Sequence, residues 1–228
     1  MQFWTYWVVR KSWTIRCMDR IRRYPELAGD HRRDLDAVLD AAAVGTLATA
    51  VDGLPWVVPM LYARDGDRIV LHGSTGAGAL RQVAAGAPAA FSVTMLDGIV
   101  VADTLFDSTA NYRPAVVRGC LTDFSGDDAV HALDLMSDSL IPGRSSEVRT
   151  HTKKELAATL AMALPIEPGC WTVRVRDAPP PEPSMDSVGW AGVVPLRTSA
   201  CEPIPAPWVG ADMPAPESVR RLVANGSP

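Results

Sequence analysis

Polar and apolar residues change their period several times along this chain, and each change marks an element. After Asp30, the apolar residues Leu35, Val38, Leu39 and Ala42 recur at helical spacing, while Arg32, Arg33, Asp36 and Asp40 fall off that face. The pattern predicts an amphipathic helix, capped by Asp30 and stopped by Gly45. From Thr46 the pattern becomes extended. The runs Thr46 to Val51, Pro55 to Ala63 and Arg68 to His72 are separated by Asp52-Gly53 and Asp65-Gly66. Asp-Gly between apolar runs is a strong hairpin signal, because both turn positions need residues that tolerate positive φ. Three consecutive antiparallel strands are expected.

A helix is predicted over about Thr75 to Ala85, ended by Gly86 and Pro88. Strand character resumes in Ala89 to Leu96 and Ile99 to Val101, around Asp97-Gly98, and again in Pro114 to Thr122. Between Val101 and Pro114, the segment Asp103 to Arg113 reads as a polar loop whose hydroxyl, amide and guanidinium groups sit beside the sheet. Asp127 to Leu140 reads as a helix ending at Pro142-Gly143. Thr152 to Leu164 reads as another, with Thr152 and Glu155 as a capping box and Leu156, Leu160 and Ala163 as its apolar face. Trp171 to Arg176 alternates apolar and basic residues like a half-exposed strand, and the prolines of Ala178 to Pro183 require an extended connection. Gly189 to Leu196 is the last apolar segment. Beyond Arg197 the composition predicts an irregular or mobile tail with a short helix at Pro216 to Val223.

These elements describe a mainly β protein with peripheral helices (α+β) and no β-α-β repetition. Closing the strands removes exposed sheet edges, so a six- or seven-stranded antiparallel barrel is expected. The organisation is an N-terminal arm (1–29), a barrel domain (30–197) and a C-terminal tail (198–228). At 228 residues and 47% hydrophobic content, the chain can bury a substantial core. A net charge of −4, with no dense Lys/Arg stripe, argues against nucleic acid or an anionic membrane as partner. Cys17, Cys120, Cys170 and Cys201 form no CxxC pair and read as reduced thiols of a cytoplasmic protein. His31, His72, His131 and His151 are too scattered to predict a metal site. The apolar start, Phe3 to Val9, is too short to span a bilayer and lacks the flanks of a secretory signal. It reads as an artefact of an upstream start, with Met18 the true first residue, the alternative being an appended surface arm.

The stretch with most chemical content is His72-Gly73-Ser74-Thr75-Gly76-Ala77-Gly78-Ala79-Leu80-Arg81. A strand that breaks at glycines and restarts as a helix leaves backbone N–H groups free, with two hydroxyls beside them and an arginine one turn on. Such a turn suits an anion, most plausibly a cofactor phosphate. It equally suits a simple helix cap, and the residues alone leave both open.

The succession Val44 to Thr49, Asp52 to Pro59, Leu61 to Asp67, Leu71 to Ser74, Leu80-Arg81, Val93 to Gly98, Asn111 to Arg113 and Trp190 to Leu196 resembles the FMN-binding split-barrel family. More narrowly it resembles the pyridoxamine 5′-phosphate oxidase-like flavin-nucleotide-binding proteins that include the nitroimidazole-resistance reductases. The resemblance implies a homodimer with FMN in the groove between subunits. It implies that Ser74, Thr75 and the backbone from Gly76 to Gly78 hold the phosphate, with Arg81 nearby. Pro59, Met60, Val93 and Thr94 would border the flavin ring, and Asn111, Tyr112 and Arg113 would close the site. Ala77 and Gly78 stand where many members carry Ser followed by Arg or Lys, and Asp107 and Ser108 stand where many carry paired histidines. The residues after Trp190 lack the Arg- and His-bearing tail of a pyridoxal phosphate site. The activity implied is electron transfer from a reduced nicotinamide to a small aromatic or nitro-type acceptor. A deazaflavin (F420) on the same fold, or a non-catalytic flavin- or haem-binding module, are the alternatives. His72 is the candidate proton donor or, for haem, the candidate axial ligand.

Overall fold

The computed structural model describes residues 28–226 except 30, 52, 77, 184–188 and 211. The expectations for the N-terminal arm and Met18, for Asp30 as a cap, and for Asp52 and Ala77 lie outside the described residues. In chain order the elements are β1 (Ala28–Gly29), α1 (Arg32–Asp40), β2 (Val44–Val51), β3 (Leu54–Asp65), β4 (Arg68–Ser74), α2 (Gly78–Ala84), β5 (Pro88–Val101) and β6 (Thr109–Cys120). There follow β7 (Thr122–Asp123), α3 (Gly126–Leu140), a 3-10 turn (Arg144–Ser146), α4 (Lys153–Ala158), β8 (Thr159–Pro165), β9 (Trp171–Arg174), β10 (Gly192–Pro195) and α5 (Glu217–Asn225).

All the strands pair antiparallel in the order β1-β9-β6-β5-β2-β3-β4-β8-β7, with β10 added to the end of β5. Six of them, β2 to β6 and β8, have seven or more residues and make the barrel. β3 is shared. Leu54–Leu61 pair with β2 and Tyr62–Asp65 with β4, so the sheet curls around this strand into a split barrel. The curl closes at Gly119 of β6, where an added Cβ would lie 2.9 Å from Leu164 Cδ1 of β8.

The interior holds Leu47, Tyr62, Ile69, Leu71, Phe91, Val93, Ala115, Val117, Met162 and Leu164, and α1 adds Leu35, Val38 and Leu39 from one end. The Tyr62 hydroxyl donates to the Leu39 carbonyl at 2.6 Å, which ties α1 to β3 without leaving a buried donor unpaired. Tyr62 also meets Phe91 edge-on, with ring centroids 5.0 Å apart. A second cluster, Ala63, Val70, Ala132, Leu133, Met136 and Ala161, seats α3 on the outer side of β3, β4 and β8.

Several sequence expectations change. The N-cap of α1 is His31, with extended backbone and no side-chain cap bond, and the helix ends at Asp40 rather than at Gly45, which lies inside β2. The β3–β4 turn is Gly66-Asp67, one residue later than expected, because Asp65 already pairs with Arg68 and Gly66 takes the positive φ of 56°. Asp97-Gly98 makes no hairpin. β5 runs through it with a register shift opposite Tyr112 and Asn111, so the extra residue is absorbed as a bulge. The polar loop therefore shortens, and Asn111, Tyr112 and Arg113 belong to β6.

The helix expected over 152 to 164 keeps its capping box but stops at Ala158, and Thr159–Pro165 becomes β8 on β4. Ala161 to Leu164 are all buried, and a run apolar on both faces carries no period to separate strand from helix. The C-terminal tail is irregular as expected but held at both ends. Leu196 N–H donates to the Asp97 carbonyl at 2.9 Å, and Ser218 in α5 donates to the Glu147 carboxylate. Cys120 and Cys201 are free thiols, whereas Cys170 is disulfide-bonded, a pairing through space that spacing in sequence cannot show.

Candidate functional site

Side chains alternate across a strand, so burial assigns each one a face. In β4, Ile69 and Leu71 enter the core while His72 and Ser74 point outward. The same alternation turns Pro59 and Leu61 outward from β3, Val44 and Thr46 from β2, Ser92, Thr94 and Leu96 from β5, and Tyr112 and Pro114 from β6. One row is continuous through the ladder: Pro59 pairs with Thr46, Thr46 with Ser92, Ser92 with Val116, and Val116 with Thr172. Five strands spaced about 4.8 Å apart make this row roughly 19 Å wide. Beside it Leu61 pairs with Val44, Thr94 with Pro114, and Leu96 with Tyr112.

Four large apolar side chains of this outer face meet solvent. Val44 is 54% exposed, Val57 61%, Leu61 40% and Leu96 49%. Apolar exposure of this kind, gathered on one sheet face, marks a surface that binds something. At one side of the face the β3–β4 ladder ends at Tyr62 and Leu71, and beyond it His72, Gly73 and Ser74 pair with β8 alone. The predicted residues Pro59, His72, Ser74, Thr94 and Tyr112 thus share one side of the sheet.

Three others do not join them. Met60 packs against the barrel core. Asn111 is 3% exposed, and its amide both donates to the Ala178 carbonyl at 3.1 Å and accepts from the Ala178 N–H at 3.2 Å. It fastens the proline-rich connection to β6. Arg113 forms a two-point bond with Asp97, at 2.8 and 2.7 Å, and these bonds hold its guanidinium firmly protonated. Both are committed within the chain, a partnership that only the bulge at Asp97 and the fold of the connection create.

The glycine-rich stretch is less open than its sequence implies. The Gly76 N–H donates to Ser74 Oγ at 3.2 Å, and the Thr75 N–H and hydroxyl both donate to the Ala158 carbonyl, at 3.1 and 3.3 Å. Two backbone donors expected at a phosphate are therefore satisfied locally. Gly73 is required because an added Cβ would meet Leu80 Cδ1 at 2.3 Å, whereas Gly78 has open space around it. The Ser74 hydroxyl proton remains to donate, and Arg81 is exposed with no salt bridge among the described residues.

His72 lies at the end of β4, before Gly73. Desolvation lowers its pKa from 6.5, so its imidazole is neutral at pH 7 with a ring-nitrogen lone pair available. Val44, Thr46, Leu61, Ser92 and Leu96 were not predictable as lining residues. An apolar or hydroxyl residue on the outer face of a strand gives no chemical signal until the register puts it in a row.

A shallow cavity of about 360 Å³ lies elsewhere, at the β3–β4 turn, lined by Asp65, Arg68 and Phe124 among others. Arg68 fills part of it, bonded to Asp65 and stacked 5.0 Å over the Phe124 ring. No group of three or more His, Cys, Asp or Glu among the described residues could hold a metal ion, and no described helix is long and apolar enough to cross a membrane.

The curled sheet, the helix at its end and the apolar outer face with a hydroxyl-bearing corner define a split-barrel protein of the flavin-binding type. The chain belongs to the pyridoxamine 5′-phosphate oxidase family, whose model matches residues 31–169. No curated protein matches the sequence. Among solved structures, the chain is similar to the FAD and haem binding protein from Mycobacterium smegmatis, with 44% identity over 86% of this chain and 97% of that one, and a TM-score of 0.84. It is also similar to the flavocytochrome Anf3 from Azotobacter vinelandii, with 29% identity over 90% of this chain and 97% of that one, and a TM-score of 0.82.

Proposed function

We propose that this protein is a flavin-binding oxidoreductase that also takes a haem, with its cofactors against the outer sheet face and that face covered by a second copy of the chain. The observation that carries this reading is the similarity, over most of both chains, to one protein that binds FAD and haem and to a flavocytochrome. The FMN expected from the sequence widens accordingly to FMN or FAD. The chemistry of the donors supports it. Ser74 offers a hydroxyl proton and Arg81 an exposed guanidinium to a phosphate. His72 offers a neutral imidazole, the form an iron ligand must have. A flavin supplies hydride and single-electron chemistry when bound, and the protein's part is to anchor the phosphate, orient the ring on an apolar floor and exclude water.

The reaction we assign is reduction of a small aromatic or nitro-type acceptor by electrons from a reduced nicotinamide. The exposed residues Val44, Val57, Leu61 and Leu96 favour a covered face, since a free apolar patch in water is costly. The test is uptake of FMN, FAD, a deazaflavin and haem by purified apoprotein, followed by visible absorbance. Flavin uptake with a Soret band after haem addition is expected, and His72→Ala is expected to lose or shift the Soret band while keeping the flavin. Protein that is folded and takes up neither flavin nor haem overturns the reading. A band unchanged in His72→Ala moves the iron ligand elsewhere. Tighter binding of the deazaflavin than of either flavin selects the alternative cofactor.

A further inference from the structure

The border of the outer face carries a further cation, Arg176. Val173 of β9 is 1% exposed in the core, so alternation turns Arg174 outward, and Arg176 follows it on the same side. Although β9 ends at Arg174, the Arg176 N–H still donates to the Tyr112 carbonyl, at 3.2 Å, which keeps Arg176 in register beside Tyr112. Tyr112 in turn pairs with Leu96, and Pro114 with Thr94. Arg176 therefore stands at the border of the apolar outer face, on the same side of the sheet as Ser74 but across its width, beyond β9 where Ser74 belongs to β4.

Among the described residues nothing pairs with its guanidinium. Arg176 Nε is shut off from solvent and has no hydrogen-bond partner, and Arg176 makes no salt bridge among the described residues. Asp97 is bonded to Arg113, and the field of Asp177 acts on Arg113 as well. A buried, charged N–H without an acceptor is costly and is tolerated where a ligand later supplies the acceptor. The donors of a guanidinium lie in one plane as a fork, which matches two oxygens of a carboxylate or phosphate.

We infer that Arg176 is a second anion-recognition point, separate from Ser74 and Arg81, that holds the carboxylate or phosphate oxygens of a planar ligand lying over Leu96, Tyr112 and Pro114. The inference rests on the outer face being the cofactor face. Two groups share this chemistry, a propionate of haem and the second phosphate of a flavin dinucleotide.

Arg176→Gln apoprotein, titrated separately with FMN, FAD and haem beside wild type, distinguishes them. Loss of about tenfold or more in haem affinity with both flavins unchanged assigns the propionate. The same loss for FAD with FMN unchanged assigns the second phosphate. Affinities unchanged for all three, or FMN and FAD weakened equally, overturn a separate anion point. Stability gives an independent readout. Because the guanidinium has no partner among the described residues, Arg176→Gln is expected to melt no lower than wild type without ligand, whereas a structural arginine would lower the melting temperature when replaced. If wild type takes up none of the three cofactors, the proposed function fails, and inorganic phosphate then tests Arg176 alone. A phosphate-induced rise in melting temperature present in wild type and absent in Arg176→Gln supports the anion point, and no difference overturns it.

Discussion

Gly45 shows how one residue carries different meanings in sequence and in structure. By sequence it stops a helix, but in the folded chain it lies within β2, where a Cβ would stand 2.2 Å from Phe91 Cζ and 2.4 Å from Cε1. Phe91 is 1% exposed and held edge-on by Tyr62, so its ring cannot retreat. Gly45→Ala is expected to cost about 1–3 kcal/mol of stability by overpacking. Urea denaturation checks this, and an unchanged midpoint would mean that the ring has room. His72 differs from Gly45 in that its type and position were legible as a candidate, while its neutral state required the desolvation that packing supplies. Asn111 and Arg113 were legible as polar groups near a site, but Ala178 and Asp97, which occupy them, are brought there only by the fold.

At the level of elements, the N-terminus of α5 is bonded to the Glu147 carboxylate. The Ser218 N–H and hydroxyl donate to Glu147 at 2.8 and 2.5 Å, and Ser218 is 1% exposed. These bonds, and then Arg144, lower the Glu147 pKa below 4.5. A carboxylate whose folded pKa is depressed stabilises the fold above its unfolded value, and that contribution is lost as pH falls through the folded value. This contribution to α5 docking is thus present at neutral pH and is lost in acid, below the ordinary carboxylate range. Amide-exchange protection of Glu217–Asn225, corrected for intrinsic pH dependence, should fall on acidification while that of β5 persists. Glu147→Gln should show the same release at pH 7. Protection of α5 that is independent of both pH and Glu147 would place its anchor elsewhere. The contrast between α4 and β8 belongs to this scale too. Thr152 and Glu155 specify where the helix begins, but nothing local specifies its end, because Ala161 to Leu164 are apolar in either conformation. Pairing with β4 decides the matter.

For the whole molecule, the consequence of the split barrel is that it covers one side of its sheet and leaves the other uncovered. α1 fills the inside, α3 covers only the part of the outside around Val70 and Ala161, and the rest presents Val44, Val57, Leu61 and Leu96. Under the proposed dimer, Val57→Asp with Leu61→Asp is expected to give a monomer by light scattering, with weakened flavin uptake and little change in fold. A double variant that stays dimeric, or a wild type that is monomeric, would show that another surface or no second copy covers this face.

The periodicity by itself determined that strands dominate, that α1 and α3 are helices with one buried face, and that hairpins fall between Val51 and Leu54 and near Asp65-Gly66. These features are local, set by side-chain spacing and turn chemistry within a few residues. The same stretch of sequence, His72 to Arg81, also marked one corner of the candidate site, since glycines, hydroxyls and an arginine signal anion chemistry wherever they occur together. Tertiary structure alone decided that Asp97-Gly98 is a bulge, that Thr159–Pro165 is a strand, and that two of the loop's N–H groups are spent on Ser74 and Ala158. It alone set Pro59, Thr46, Ser92, Val116 and Thr172 in one row and left Arg176 without a partner among the described residues. Register and burial join residues more than a hundred positions apart, and no period within a single segment contains that information.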